Sequence, residues 1–306
     1  MSGSLLGWVV FGALVVVMLA LDLGVGQRSQ RVIPLREALR WTALWITVAV
    51  LFGIGIHFRR GGQKALEFFT GYLVELSLSA DNVFVFLMLF TYFRVPPQHQ
   101  NRVLFWGIVG ALLLRGVFIV AGVALINRLH AIIYVFGALL VGSGIRMALE
   151  KGAEIHPERN PLLRFARRFL PFTKDFVEGR FFTVRDGRKM ATPLFLVLLM
   201  VGPTDLVFAI DSIPAVLAIT RDPFLVLTSN VFAVLGLRAM FFALAGVIGL
   251  FHYLSLGLSV VLILIGTKML LSDAVSIPTW VSLVAIAVIL GTAVVASILR
   301  PKQTTK

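Results

Sequence analysis

The feature that most restricts this chain is the length of its apolar runs. Nine stretches, 5–25, 39–57, 66–93, 102–125, 131–149, 191–219, 224–249, 254–272 and 279–299, carry few charges and no strict alternation. Each is close to the ~20 residues a helix needs to cross hydrocarbon. Lipid cannot satisfy open backbone groups, so only helices or closed barrels cross it, and barrel strands alternate apolar and polar positions. The predicted fold is therefore all-α: a polytopic membrane helical bundle of about nine transmembrane helices in a single membrane domain, 1–306. Hydrophobic residues make up 58% of the 306, more than the core of a soluble domain of this size accounts for.

Charge sets the expected orientation. The net charge is +13, and the basic residues crowd beside the apolar runs rather than in any nucleic-acid motif. Loops after the first, third, fifth and seventh runs, with the C-terminal tail, hold 19 Lys and Arg, against five on the other side (Arg59, Arg60, Lys64, Arg128, Arg221). Basic loops stay cytoplasmic, so the N-terminus is expected outside and the C-terminus inside the cytoplasmic (inner) membrane. The partners expected from this are the lipid bilayer and no nucleic acid. No Lys or Arg precedes the first run, which argues for a retained helix and against a cleaved signal. The chain has no cysteine, so disulfides, thiolate metal sites and cysteine nucleophiles are excluded.

The long loop 150–190 divides the chain. Its PLLRFARRFLPF stretch, 161–172, alternates apolar and basic residues and is expected on the inner leaflet. Asp186-Gly187, between extended-looking arms, reads as a hairpin turn. The loop has no nucleotide or metal spacing and is read as a cytoplasmic cap or connector, with room for a protein partner.

Two units flank this loop, 66–149 and 191–272. The first reads Glu75-LSLSA-Asp81-Asn82 and the second Asp205-LVFAI-Asp211-Ser212. The next helices share RGVFIVAG from Arg115 and RAMFFALAG from Arg238; those after share GIRMAL from Gly144 and GTKMLL from Gly266. Three spans per unit mean that the second enters from the opposite side. An inverted three-helix repeat follows, and such repeats in secondary transporters put the substrate at mid-membrane.

Ionised side chains in mid-membrane cost roughly 2.5–3.5 kcal/mol each on insertion scales. Glu75, Asp81, Asp205 and Asp211 all lie inside apolar runs, so something must offset them. Arg115 and Arg238 are charge-balancing candidates. A metal ion is the other, held by Glu75, Asp81, Asn82, Asp205 and Asp211, with Ser79 and Ser212 as additional ligands. Glu75, Ser79 and Asn82 share a helix face, as do Asp205, Ala209 and Ser212. The second acid of each pair sits about 120° around the helix, so local unwinding would help them converge. Gly202-Pro203 and Pro214 offer it. These hard oxygen donors suit Mn2+, Ca2+ or Mg2+, and the five histidines fall at span ends or in loops. Carboxylates sharing a cavity take up protons when no cation is present, which suggests exchange for protons.

ELSLSADNVFVF, DLVFAIDSIPAVLAITRDPF, TSNVFAVLGLRAMFF and LDLGV together resemble the TerC family of membrane proteins over roughly residues 15–275. The resemblance implies a transporter fold akin to the lysine exporters and a role in Mn2+ efflux; older links to tellurium resistance named the family. It implies that Glu75, Asp81, Asn82, Asp205, Asp211 and Ser212 form the two family motifs and that Asp22 is the early acid, an additional ligand. Family members commonly carry Glu where this chain has Gly202. No enzyme is expected: an intramembrane aspartyl protease would show Gly-x-Gly-Asp, which neither acid pair has. Two other readings stand beside the exporter. One is a membrane helper that supplies metal to exported proteins or assists their maturation; the other is an anion carrier built on Arg115 and Arg238.

Overall fold

A computed structural model of the chain describes residues 5–27, 33–129, 131–149, 171–173, 175–177, 179–185, 188–245, 253–275 and 277–299. These residues hold nine helices and one hairpin. The helices are α1 (Leu5–Gln27), α2 (Leu35–Arg60), α3 (Gly62–Tyr92), α4 (Pro97–Arg128), α5 (Ile132–Leu149), α6 (Pro193–Leu217), α7 (Pro223–Ala245), α8 (Leu254–Leu270) and α9 (Thr279–Leu299). Each predicted run coincides with one of them. Six (α2, α3, α4, α5, α7 and α9) are long and apolar enough to cross a membrane by length and composition; the apolar stretches described in α1, α6 and α8 are shorter. The chain is an all-α membrane protein.

Burial follows the helix period but with the apolar side outward. On α4, Leu113, Val117 and Val120 are 70%, 69% and 66% exposed, while Arg115 on the same helix is buried. Such a stripe at i, i+4 and i+7 is a lipid-facing surface, since water would disfavour so much contiguous apolar area. At the centre lies α7, buried along nearly its whole length, with α3 and α2 packed on it. The sequence starts α7 sharply: Asp222 accepts the Phe224 N–H through Oδ1 at 3.0 Å, and Pro223 opens the helix. The α3 helix ends at Phe93, after which Arg94 takes a left-handed φ of 52°.

The closest helix packing pairs α5 with α8, α3 with α7, and α4 with α6; α3 also packs on α6, and α4 on α7. The α5–α8 crossing is close enough to require small residues. A Cβ on Gly144 would lie 2.7 Å from the Ser259 carbonyl oxygen, and one on Gly266 would lie 2.7 Å from that of Gly137.

In the long loop, strands β1 (Phe182–Arg185) and β2 (Arg188–Ala191) pair antiparallel with Arg185 opposite Arg188. The arms expected around Asp186-Gly187 are thus present, although those two residues lie outside the described set, as do 161–170 of the expected interfacial segment. The hairpin is fastened to the start of α6. Ala191 N–H donates to the Pro171 carbonyl at 2.9 Å, Thr173 N–H to that of Ala191 at 2.9 Å, and Thr192 N–H to that of Phe181 at 2.9 Å. Thr192 Oγ1 also donates to the Arg180 carbonyl at 2.6 Å.

One expectation is corrected. Neither α3 nor α6 unwinds near its acids; α3 is continuous through Glu75 and Asp81, and α6 through Gly202-Pro203 and Pro214. Membrane helices tolerate proline when the surroundings support the backbone; Pro203 takes the helical donor from the Leu199 carbonyl, and the helix runs on through it.

Candidate functional site

Straight helices have a direct consequence for the acids. Six residues along an ideal helix amount to about 120° of net rotation, so the acids of one helix face different neighbours. Glu75 and Asp205 turn inward and are 1% and 2% exposed. Ser79 and Asn82 continue the buried face of α3, and Ala209 and Ser212 that of α6, as their spacing predicts.

Glu75 and Asp205 do converge, and the group between them is Arg115 of α4, itself 1% exposed. Its Nη1 donates to Glu75 Oε2 at 2.8 Å and its Nη2 to Asp205 Oδ1 at 3.2 Å; Nε reaches Asp205 Oδ2 at 3.4 Å. The guanidinium thus grips Asp205 with a two-pronged fork while holding Glu75 with a third donor, a geometry lysine cannot supply. Nη1 also lies 3.4 Å from Ser212 Oγ. Asn230 of α7 completes the cluster, donating through Nδ2 to Glu75 Oε1 at 2.7 Å. Two negative side chains and one positive are thereby neutralised in part, in surroundings where an isolated ion would be far costlier.

Two oxygens beside this cluster stand without a hydrogen-bond partner, Asn230 Oδ1 and Ser79 Oγ, both on residues 1% exposed. Native interiors leave few such groups.

Asp211 points elsewhere. Its Oδ1 accepts the Ser143 hydroxyl of α5 at 2.7 Å. Asp81 lies on α3 and Asp22 on α1, but their side chains fall outside the described residues. Among the described residues no group of three or more acidic or histidine side chains is arranged to hold a metal. Within the expected ligand set, Glu75 and Asp205 share Arg115, while Asp211 bonds α5. Of the two arginines expected to balance charge, Arg115 does so directly, and Arg238 Nη1 donates to Asn101 Oδ1 on α4 at 2.9 Å.

Sequence reasoning passed over Asn230 and Ser143 as site residues. The signal for Asn230 was an amide in the middle of an apolar run, in TSNVF. Ser143 had no comparable mark, because hydroxyls within apolar helices often bond their own helix, as those of Thr70 and Ser77 do.

A second polar cluster closes the end of the bundle where α3 and α7 begin. Glu67 Oε2 accepts from Lys64 Nζ at 2.8 Å and from Thr220 Oγ1 at 2.6 Å, and Arg60 Nη2 pairs with Asp222 Oδ2 at 2.5 Å. It borders a cavity of about 400 Å³ lined by Lys64, Glu67, Thr220, Arg221 and Asp222.

Comparison with known proteins finds other membrane proteins. The chain is 51% identical over 296 residues to membrane protein STKORF319 of Myxococcus xanthus, covering 97% of this chain and 93% of that protein. It is 46% identical over 290 residues to a Salmonella typhi protein named, as a proposed role, membrane-bound redox modulator Alx, covering 92% and 90%. A Rickettsia bellii membrane protein is 35% identical over 295 residues, covering 96% and 98%. No solved structure matches the chain. The family described as integral membrane protein TerC matches residues 60–305, and the chain belongs to that family.

Proposed function

We propose that this protein is a secondary transporter that exports a divalent cation, Mn2+, from the cytoplasm in exchange for protons. The observation that carries the reading is the meeting of Glu75 and Asp205, from α3 and α6, in the buried centre of the bundle. Both acids occupy the same place in the two related motifs. The direction of the helices supports an inverted repeat. Glu67 near the start of α3 meets Thr220 just past the end of α6, so α3 and α6 run in opposite senses.

Packing supports the repeat as well. If α3, α4 and α5 correspond to α6, α7 and α8, then α3 on α7 and α4 on α6 are the same contact seen twice. The contact of α5 with α8 maps onto itself. So do its glycines: aligning Gly144 with Gly266 sets Gly137 against Ser259, which exchanges the two close approaches at 2.7 Å. A carrier built this way exposes one central site alternately to each side.

The donors are carboxylates, an amide oxygen and hydroxyls, which suit hard divalent ions; the choice of Mn2+ over Ca2+ or Mg2+ comes from the resemblance of the motifs. Asp81, Asn82 and Asp211 belong to the proposed path, with Asp22 and Ser212 as further oxygen donors. The charge bias of the loops supports an inner-membrane location with the N-terminus outside.

Cellular manganese and Mn2+ tolerance should be compared in cells expressing wild type, Glu75→Gln, Asp81→Asn, Asp205→Asn and Asp211→Asn at equal abundance. Exporting wild type lowers cell manganese, and each variant raises it again. Equal manganese in all five strains would sink the reading. In proteoliposomes, Mn2+ efflux should move protons the opposite way.

A second reading, a helper that supplies metal to exported proteins, is favoured by the hairpin fastened to α6 and by the redox role in the Alx name. Lacking cysteine, this chain would influence redox balance through metal supply and not through its own thiols. Scrambling the exposed hairpin residues abolishes a helper's effect but leaves Mn2+ flux intact.

A further inference from the structure

The exporter reading raises a physical difficulty that the site itself resolves. Arg115 already occupies the oxygens a metal would need. A divalent cation on the same carboxylates would compete with this guanidinium, because Arg115 already holds both oxygens of Asp205 and one of Glu75, a metal ligand sits within roughly 2.0–2.6 Å of the ion, and the two positive groups repel strongly at low dielectric. Each binds at the expense of the other.

Two further facts bear on which groups the metal would use. Asn230 places its Nδ2 on Glu75 Oε1 at 2.7 Å, so its own carbonyl oxygen, which has no partner, stands within one amide group of that carboxylate. Ser79 Oγ, also unpartnered, sits one helical turn after Glu75 on the same face. Both residues are 1% exposed, and buried acceptors left without a partner are costly. They are neutral oxygen donors beside an acid, the chemistry that completes a hard-cation shell once the carboxylates are in place.

We propose that Arg115 is a tethered stand-in for the transported cation. It holds Glu75 and Asp205 together when the ion is away. The arriving divalent cation displaces its guanidinium and takes Glu75, Asp205 and the Asn230 Oδ1 as ligands, with Ser79 Oγ beside them. The displaced guanidinium has an acceptor within reach: Nη1 is 3.4 Å from Ser212 Oγ, and Ser212 adjoins Asp211, whose carboxylate accepts the Ser143 hydroxyl. Arg115 returning to the two acids then drives the ion out. This assignment rests on the exporter reading, and it gives Arg115 a role in release rather than in binding.

The test is equilibrium binding of Mn2+ alone to purified full-length protein in lipid nanodiscs, followed by paramagnetic resonance of free Mn2+. Proteoliposome efflux is measured in parallel. Arg115→Gln should bind Mn2+ at least tenfold tighter than wild type and export it more slowly. Arg115→Lys, which keeps the charge but loses the fork, should bind with intermediate strength. Asn230→Ala should bind at least threefold more weakly. Folded Arg115→Gln with wild-type or weaker affinity overturns the proposal. Should Arg115→Gln fail to fold, Arg115→Lys decides it in the same sense, tighter supporting and equal or weaker overturning. Wild type that binds and exports Mn2+ while the arginine variants bind no tighter leaves the exporter reading standing and removes only this one. Absence of Mn2+ binding in every form removes both.

Discussion

Gly137 and Gly266 meet backbone to backbone where α5 crosses α8: a Cβ on Gly137 would stand 3.0 Å from the Gly266 carbonyl oxygen, and one on Gly266 2.7 Å from that of Gly137. Backbone oxygens cannot move aside as a flexible side chain can, so the crossing has no room for a branched residue. Gly266→Val should destabilise the bundle by roughly 1–3 kcal/mol, the usual cost of overpacking. Thermal unfolding in detergent reads it, and Gly12→Val, where nothing lies within 4 Å, is the control. Equal melting of the two variants would show that α5 and α8 are not in close contact.

Gly202 tests the reverse situation. No heavy atom lies within 4 Å of a Cβ built there, and Gly202 is on the same helix as Asp205. Gly202→Glu should be accommodated with little loss of folded protein and should raise Mn2+ affinity, by about tenfold if the new carboxylate reaches the ion, since hard cations gain affinity with ligand charge. Unchanged affinity in folded Gly202→Glu would place position 202 off the ion path.

Asp222 does two jobs at the end of the bundle where α3 and α7 begin. It caps α7 through the Phe224 N–H and pairs with Arg60. Asp222→Ala loses both, and a lost cap alone costs about 1 kcal/mol. Asp222→Asn keeps a capping oxygen but not the charge, so it should recover most of the stability. High salt should narrow the gap between wild type and Asp222→Asn without changing that between Asn and Ala.

Ser143→Ala removes the hydroxyl that Asp211 accepts at 2.7 Å. Hydrogen bonds to charged groups contribute about 1.5–3 kcal/mol, so the variant should melt lower than wild type. Adding Asp211→Asn to it should change the melting temperature less than Asp211→Asn does in the wild type, because the two groups act on one bond. Additive losses would show that Asp211 depends on another partner.

Much of this architecture is legible in the sequence because lipid leaves a chain few choices. Apolar runs of span length dictate helices, and each predicted run coincides with a helix to within a few residues. The buried face of α3 is equally legible: Glu75, Ser79 and Asn82 fall at helical spacing, and the structure buries all three. What the sequence did not disclose is which partner each acid selects. Proline and glycine in α6 suggested a broken helix, yet the helix is continuous from Pro193 to Leu217. An unbroken helix sends Asp205 and Asp211 to different neighbours. The central place of Arg115 depends on a three-way approach of α3, α4 and α6, and no spacing within one helix encodes the distance between helices. Asn230 escaped notice for the same reason, since its value lies in facing Glu75 from another helix.

The hairpin stitched to the start of α6 has a mechanical consequence. Four hydrogen bonds tie Pro171, Thr173, Arg180 and Phe181 to Ala191 and Thr192, immediately before the helix that carries Asp205 and Asp211. A rigid rod joined to such a staple transmits force along its length. A displacement of this small β-lever would therefore have to be taken up either by breaking these four bonds or by the helix that carries Asp205 and Asp211.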